Sequence, residues 1–329
     1  MLYPKNKKNK FGMLIFIMQI SVFCALAMCS IFIGVADLPV QDIIALESEK
    51  LDVLTISRIP RLCSIVAAGA SLSVAGLIMQ RITKNKFVSP TTAGTMEWCK
   101  LGVIFAIICM PEAGSMARLA GAFTVSLAGT FIFMAVVNKV KSRNIDIVPL
   151  IGIMLGGVVG AASTFFAYKY DIIQNTASWL QGNFSLVIAG KYELLYLGIP
   201  IMAIAFLYAD RFTIASMGKN TATSLGLSYR GIVNAGIAIV TLVSSITVVC
   251  VGNIPFVGLI VPNIVSIFKG DSVKDILWDT AWFGSVLVLF CDILGRTIIF
   301  PYEIPIGVIL SIIGSFTFLA LILKGKKHA

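Results

Sequence analysis

Charge is what this sequence lacks most. Of its 329 residues only 13% are Asp, Glu, Lys or Arg, against roughly 25% in an ordinary soluble domain. With 58% hydrophobic residues and a mean hydropathy of +0.94, a water-soluble fold has too little polar surface to cover the rest. The chain is expected to be integral to a membrane. Histidine is almost missing. A single His328 beside the C-terminus excludes imidazole acid–base catalysis and His-ligated metal sites. The cysteines (Cys24, Cys29, Cys63, Cys99, Cys109, Cys250, Cys291) lie inside or at the edges of apolar runs, with no C-x-x-C. Neither a disulfide framework nor a thiolate metal site is indicated.

Whole motifs are missing as well. There is no G-x-x-x-x-G-K-[ST] loop, so the chain is not expected to hydrolyse nucleotide itself. H-E-x-x-H, G-x-S-x-G and carboxylate clusters suited to hydrolysis are also wanting. An intramembrane enzyme would need a nucleophile–base pair or metal ligands, so no catalytic, cofactor or metal site is expected. The net charge of +10 does not point to nucleic acid, because the basic residues come in short clusters between apolar runs, as in cytoplasmic loops.

Ten apolar runs suited to crossing a bilayer at about 20 residues each remain: 11–35, 60–80, 92–110, 117–137, 147–168, 192–209, 231–251, 254–268, 278–297 and 305–323. The N-terminal run imitates a signal peptide, yet it is longer than a signal h-region and reads as a retained first helix. The reading is a single all-α polytopic permease domain over 1–329. With the N-terminus inside, the inner loops hold 18 Lys and Arg and the outer ones seven (Lys50, Arg58, Arg61, Arg118, Lys169, Lys191, Arg296), with Lys100 in a span. That excess puts both termini in the cytoplasm and makes the outer pair Arg58 and Arg61 an anomaly.

Several features admit two readings. Small residues crowd spans two, five and ten, which allows close helix packing or the lining of a wide path. Pro255 and Pro262, among glycines, break the eighth segment; it is a kinked helix, or a discontinuous one beside a path. Glu97 and Lys100, like Asp292 and Arg296, are charges within spans, costing about 2.5–3.5 kcal/mol each on insertion scales. Each couple is spaced to pair locally, and both Glu97 and Asp292 sit near helix ends. The inner loop 210–230 is the longest on its side. Asn220 is placed to cap a short helix running through Leu225, and Gly226 to stop it. That helix suits docking by another protein or a folded connector.

The stretches "SRIPRL", "GASLSVAGLIMQ", "NKFVSPTTAGTMEW", "ASWLQGNFS", "TATSLGLSYR", "VGNIPFVGLIVPNIV", "DILGR" and "PYEIPIGVILSIIGSFTF" carry a resemblance over nearly the whole chain. Together they resemble the permease subunits of the iron-siderophore and vitamin B12 class of bacterial ABC importers (FecCD-type). They look most like petrobactin-type catecholate siderophore permeases of Gram-positive bacteria.

The resemblance implies a type II importer permease of about ten helices, paired with a second permease chain, two cytoplasmic ATPases and an external substrate-binding lipoprotein. Its cargo would be a ferric siderophore. It puts Arg58, Arg61 and Arg296 where the family docks glutamates of the binding protein; lipid phosphates are the plainer partners of outer arginines. Asn220, Ser224, Leu225 and Gly226 fall where the family couples to its ATPases. Glu97, Lys100, Pro255, Pro262 and Asn263 are candidates for the translocation path. Asn263 and Ser266 stand where relatives usually have His and Arg, and Glu97, Trp98 and Lys100 replace a run of Gly and Ala. A haem or B12 permease, or an ion-coupled secondary transporter with buried carboxylates near the midplane, are the competing readings.

Overall fold

Fourteen α-helices form among the residues that the computed structural model describes, 5–34, 48–139, 147–190 and 192–325. They are α1 (Lys5–Phe32), α2 (Ser48–Val53), α3 (Ile59–Thr83), α4 (Thr95–Cys109), α5 (Ser115–Lys139), α6 (Ile147–Lys169) and α7 (Ile173–Leu180). Then come α8 (Gly198–Leu207), α9 (Ala209–Met217), α10 (Lys219–Ser224), α11 (Tyr229–Val251), α12 (Val257–Lys269), α13 (Val273–Thr297) and α14 (Ile306–Gly325). No strand occurs among the described residues; a lone parallel bridge joins Gln181 to Asn253.

Among the described residues, five helical stretches are long and apolar enough to cross a membrane: Leu51–Thr83, Ser115–Val137, Val148–Lys169, Tyr229–Val251 and Val273–Thr297. The pair Glu193–Leu207 and Ala209–Met217, bent by 55°, makes a sixth. Shorter apolar helices cover Phe16–Phe32, Val257–Lys269 and Ile306–Leu321. A helix thus covers most of each of the ten runs, while length alone supports fewer than ten spans.

The α3 helix is the hub and is buried from Ser71 to Thr83. Its small residues allow this. Gly76 lies against the backbone of Gly258 in α12, and Gly69 against Gly284 and Ser285 in α13. In lipid there is little hydrophobic drive between helices, so such backbone contact is the main source of packing attraction.

Two expected boundaries move. The outer loop expected over 36–57 is helical from Ser48, and α2 runs into α3 through a π-helical turn, Leu54–Arg58. Pro60 is the cause: it has no N–H for the carbonyl of Ile56 and would clash with it in a regular turn. The widened turn relieves this, and Ala189 N–H donates to the freed Ile56 carbonyl at 2.9 Å. At the other end, α9 turns residues 210–217 of the loop expected over 210–230 into helix. Asn220 is not the cap of the next helix. Gly218, at φ 122°, precedes Lys219, and no side chain caps α10. Gly226 does stop it, at φ 75°. The inner loop expected at 138–144 falls mostly outside the described residues, as do residues 36–47 of the expected outer loop.

Candidate functional site

At one end of the bundle the sequence's anomalous arginines come together. The extra residue of the π turn shifts the register so that Arg58 reaches the end of α1, where its Nη1 donates to the Ile33 carbonyl at 2.6 Å. Arg296, in the last turn of α13, donates to the Ser30 carbonyl at 2.8 Å, the Ser30 hydroxyl at 2.7 Å and the Ile33 carbonyl at 2.7 Å. The last carbonyls of a helix lack intrahelical partners and carry partial negative charge, so two guanidinium groups suit the end of α1. Gly34 leaves room for the Arg58 guanidinium, which occupies the space a side chain there would need.

Arg61 binds two carboxylates. Its Nη2 is 2.8 Å from Asp292 Oδ1 and its Nη1 is 2.9 Å from Glu303 Oε2. Asp292 also meets Arg296 at 2.8 Å, the local pair their spacing allowed. The three arginines are therefore mostly buried, 8%, 8% and 2% exposed for Arg58, Arg61 and Arg296. Glu303 was not anticipated; its only sequence signal is a lone carboxylate between two outer prolines, "PYEIP".

The path candidates separate into two groups. Pro262 and Asn263 are packed inside the bundle. Pro262 leaves the Gly258 carbonyl without its helical donor, and the Gln80 amide of α3 donates to it at 3.4 Å and to Leu259 at 3.1 Å. Asn263 donates to the carbonyls of Lys86 and Leu259, both at 2.7 Å. Pro255 instead lies in a surface groove with Gln181, Asn253 and Ser311. Three chain segments converge there: Asn253 N–H donates to Leu180 at 2.8 Å and Gly307 N–H to Gly182 at 3.2 Å. Gly252 (φ 88°) and the left-handed Phe256 (φ 65°) turn the backbone between α11 and α12.

Glu97 and Lys100 do not pair with each other. Both turn to α6: Lys100 Nζ donates to the Thr164 hydroxyl at 2.9 Å, and the Glu97 carboxylate lies against Gly160. Their depth also differs from expectation. Although Glu97 is near the start of its own helix, α4 begins inside the bundle, after a 3-10 turn (Pro90–Ala93) and Gly94 at φ 74°, which packs on Gly152 and Gly156. Glu97 is therefore level with the middle of α6 rather than with a membrane surface.

On the opposite side, α9 and α10 form a bracket with an apolar tip. Phe212, Ala215 and Ala222 are buried, and Thr213 accepts a hydrogen bond from Val273 N–H at 3.0 Å. Leu225 and Met217 are exposed, 60% and 63%, and Asn220, Ser224 and Gly226 are exposed beside them. Nearby, Arg81 at the end of α3 bridges to Asp271 at 2.8 Å and donates to the Ser266 hydroxyl at 2.7 Å. Burial alone would push the Asp271 carboxyl up; the hydrogen bond and charge of Arg81, with Lys86, outweigh it and hold it below the ordinary carboxylate range. This contact was not foreseen, and it brings a guanidinium from α3 to Ser266.

Comparison with known proteins identifies the family of this chain. The model of the FecCD transport family matches residues 22–324. The chain is 52% identical over 304 residues to the petrobactin import system permease protein YclN of Bacillus subtilis, covering 92% of this chain and 96% of that one. It is 39% identical over 319 residues to the petrobactin import system permease protein FatD of Bacillus anthracis, covering 97% and 94%. It is 40% identical over 271 residues to the ferric-anguibactin transport system permease protein of Vibrio anguillarum, covering 82% and 86%. Among solved structures, an inward-facing metal-chelate type ABC transporter chain matches with a TM-score of 0.84 at 22% identity, covering 94% of this chain and 99% of that one, which shows the shared all-α polytopic fold.

Proposed function

The chain belongs to the FecCD transport family, and from that premise we propose that it is the membrane-spanning permease subunit of an ABC importer for a ferric siderophore. The cargo is a catecholate chelate of the petrobactin kind. The observation that carries this reading is the 52% identity to a petrobactin import permease over 92% of the chain. It works in the cytoplasmic membrane with both termini inside, about ten spans, a second permease chain and two cytoplasmic ATPases. An external binding lipoprotein delivers the chelate.

The geometry supports three roles. The bracket of α9 and α10 offers Leu225, flanked by Asn220, Ser224 and Gly226, to an ATPase, and its anchorage on α13 gives that contact a lever on the bundle. The outer arginine cluster receives the binding protein through Arg58. Arg61 and Arg296 hold the receiving surface in shape through Asp292, Glu303 and the end of α1. Glu97, Lys100 and Pro255 line the path. The mid-depth position of Glu97 also suits an ion-coupled carrier, and energy source separates the two.

Removal of the chain from its host, with iron supplied only as ferric petrobactin, tests the reading. Uptake of radioactive iron should fall to background and return when the chain is restored. Uptake that persists without it contradicts the assignment.

A further inference from the structure

A groove of about 460 Å³ runs between α4 and α6, within the range of small-molecule sites. Glycine makes the space: Gly152, Gly156, Gly157 and Gly160 of α6 line it, and nothing lies within 4 Å of where a side chain at Gly157 would begin. On the other wall, Glu97 and Lys100 stand one turn apart. Met96 of α4 lines the groove beside them, while the Trp98 ring packs over Gly129 of α5 and Cys99 is fully buried. Trp98 and Cys99 thus hold the other face of the helix and leave the two charges turned to the groove.

Opposite charges at this spacing normally pair. Here Lys100 is held by a neutral hydroxyl, and the Glu97 carboxylate has no hydrogen bond or ion pair among the described residues. Charges at mid-membrane depth face a partner or a water-filled cavity, and here they face a cavity. A groove meant for a purely anionic chelate would carry Lys100 alone, since a carboxylate beside it repels that cargo. Retaining Glu97 excludes simple anions and admits a ligand that brings its own cation.

We propose that this groove is a cargo subsite for a chelate bearing two charges of opposite sign. Lys100 takes its anionic oxygen group, and Glu97 takes a protonated amine about one helical turn away, ~5–6 Å. The assignment rests on the permease reading and adds the charge pattern of the cargo to it.

Two iron(III) chelates of a bis-catechol test it, one with secondary amines in its linker and one with an all-methylene linker of equal length. Each is supplied to the reconstituted complete importer at concentrations saturating the binding protein. The importer should move the amine-bearing chelate faster. Glu97→Gln, which keeps volume and removes charge, should slow that chelate about tenfold, the scale of one charge-assisted hydrogen bond, and leave the methylene chelate unchanged or faster. Lys100→Met should slow both. ATP hydrolysis stimulated by the binding protein serves as the control for folding and assembly. Equal effects of Glu97→Gln on both chelates, or no effect on either, overturn the subsite. An unmodified importer that moves neither chelate overturns the permease reading itself, and the subsite with it.

Discussion

Asp292 lies 3% exposed between the guanidinium groups of Arg61 and Arg296, and that position makes it the residue whose loss the fold tolerates least. Removing one member of a buried charge group leaves the others uncompensated, at about 3–5 kcal/mol. Asp292→Asn is expected to lower the thermal unfolding temperature in detergent and the amount of inserted protein. Arg58→Gln, which keeps an N–H donor for the Ile33 carbonyl and removes the charge, should cost the melt less while weakening binding-protein docking in a salt-dependent way. A melt unchanged by Asp292→Asn, or docking unchanged by Arg58→Gln, contradicts the proposed division between holding and receiving arginines. The sequence exposed Arg58 and Arg61 as outer positives but not their neighbours. Spacing shows the pair within α13, whereas Glu303 meets Arg61 across 242 residues of chain, and no local pattern encodes that contact.

Two prolines show how elements are stitched together in this bundle. Each removes one helical donor, and each freed carbonyl receives a bond from a different segment: Ile56 from Ala189, and Gly258 from Gln80. Proline marks a break in sequence, so the disturbed turns were legible; the distant donors were not, because they depend on tertiary packing. The same limit hid the depth of α4, whose entry turn looks like an ordinary inner loop until Gly94 is seen against α6. The bracket of α9 and α10 was legible as an unusually long inner loop stopped at Gly226, although its cap was misplaced at Asn220. Its apolar tip carries the next prediction. In the proposed ATPase contact, Leu225→Asp puts a charge where water would be excluded and an unpaired charge is strongly unfavourable. Binding-protein-stimulated ATP hydrolysis should be lost with insertion intact. Full stimulation in this variant would reduce the bracket to a connector.

For the molecule as a whole, composition settled most: so little charge and so much apolar sequence leave only a membrane bundle, and the helices follow the apolar runs. The proposed path was harder to read, because glycine serves packing at Gly76 and leaves open space at Gly157, and the two uses look alike in sequence. In the proposed function this bundle moves a ferric siderophore with energy from partner ATPases. Proteoliposomes holding the chain with its second permease chain and ATPases, and the binding protein outside, measure it directly as accumulation of ferric petrobactin. Accumulation should require ATP, stop with a hydrolysis-deficient ATPase and persist when proton and sodium gradients are collapsed. Accumulation driven by an ion gradient without nucleotide would contradict it.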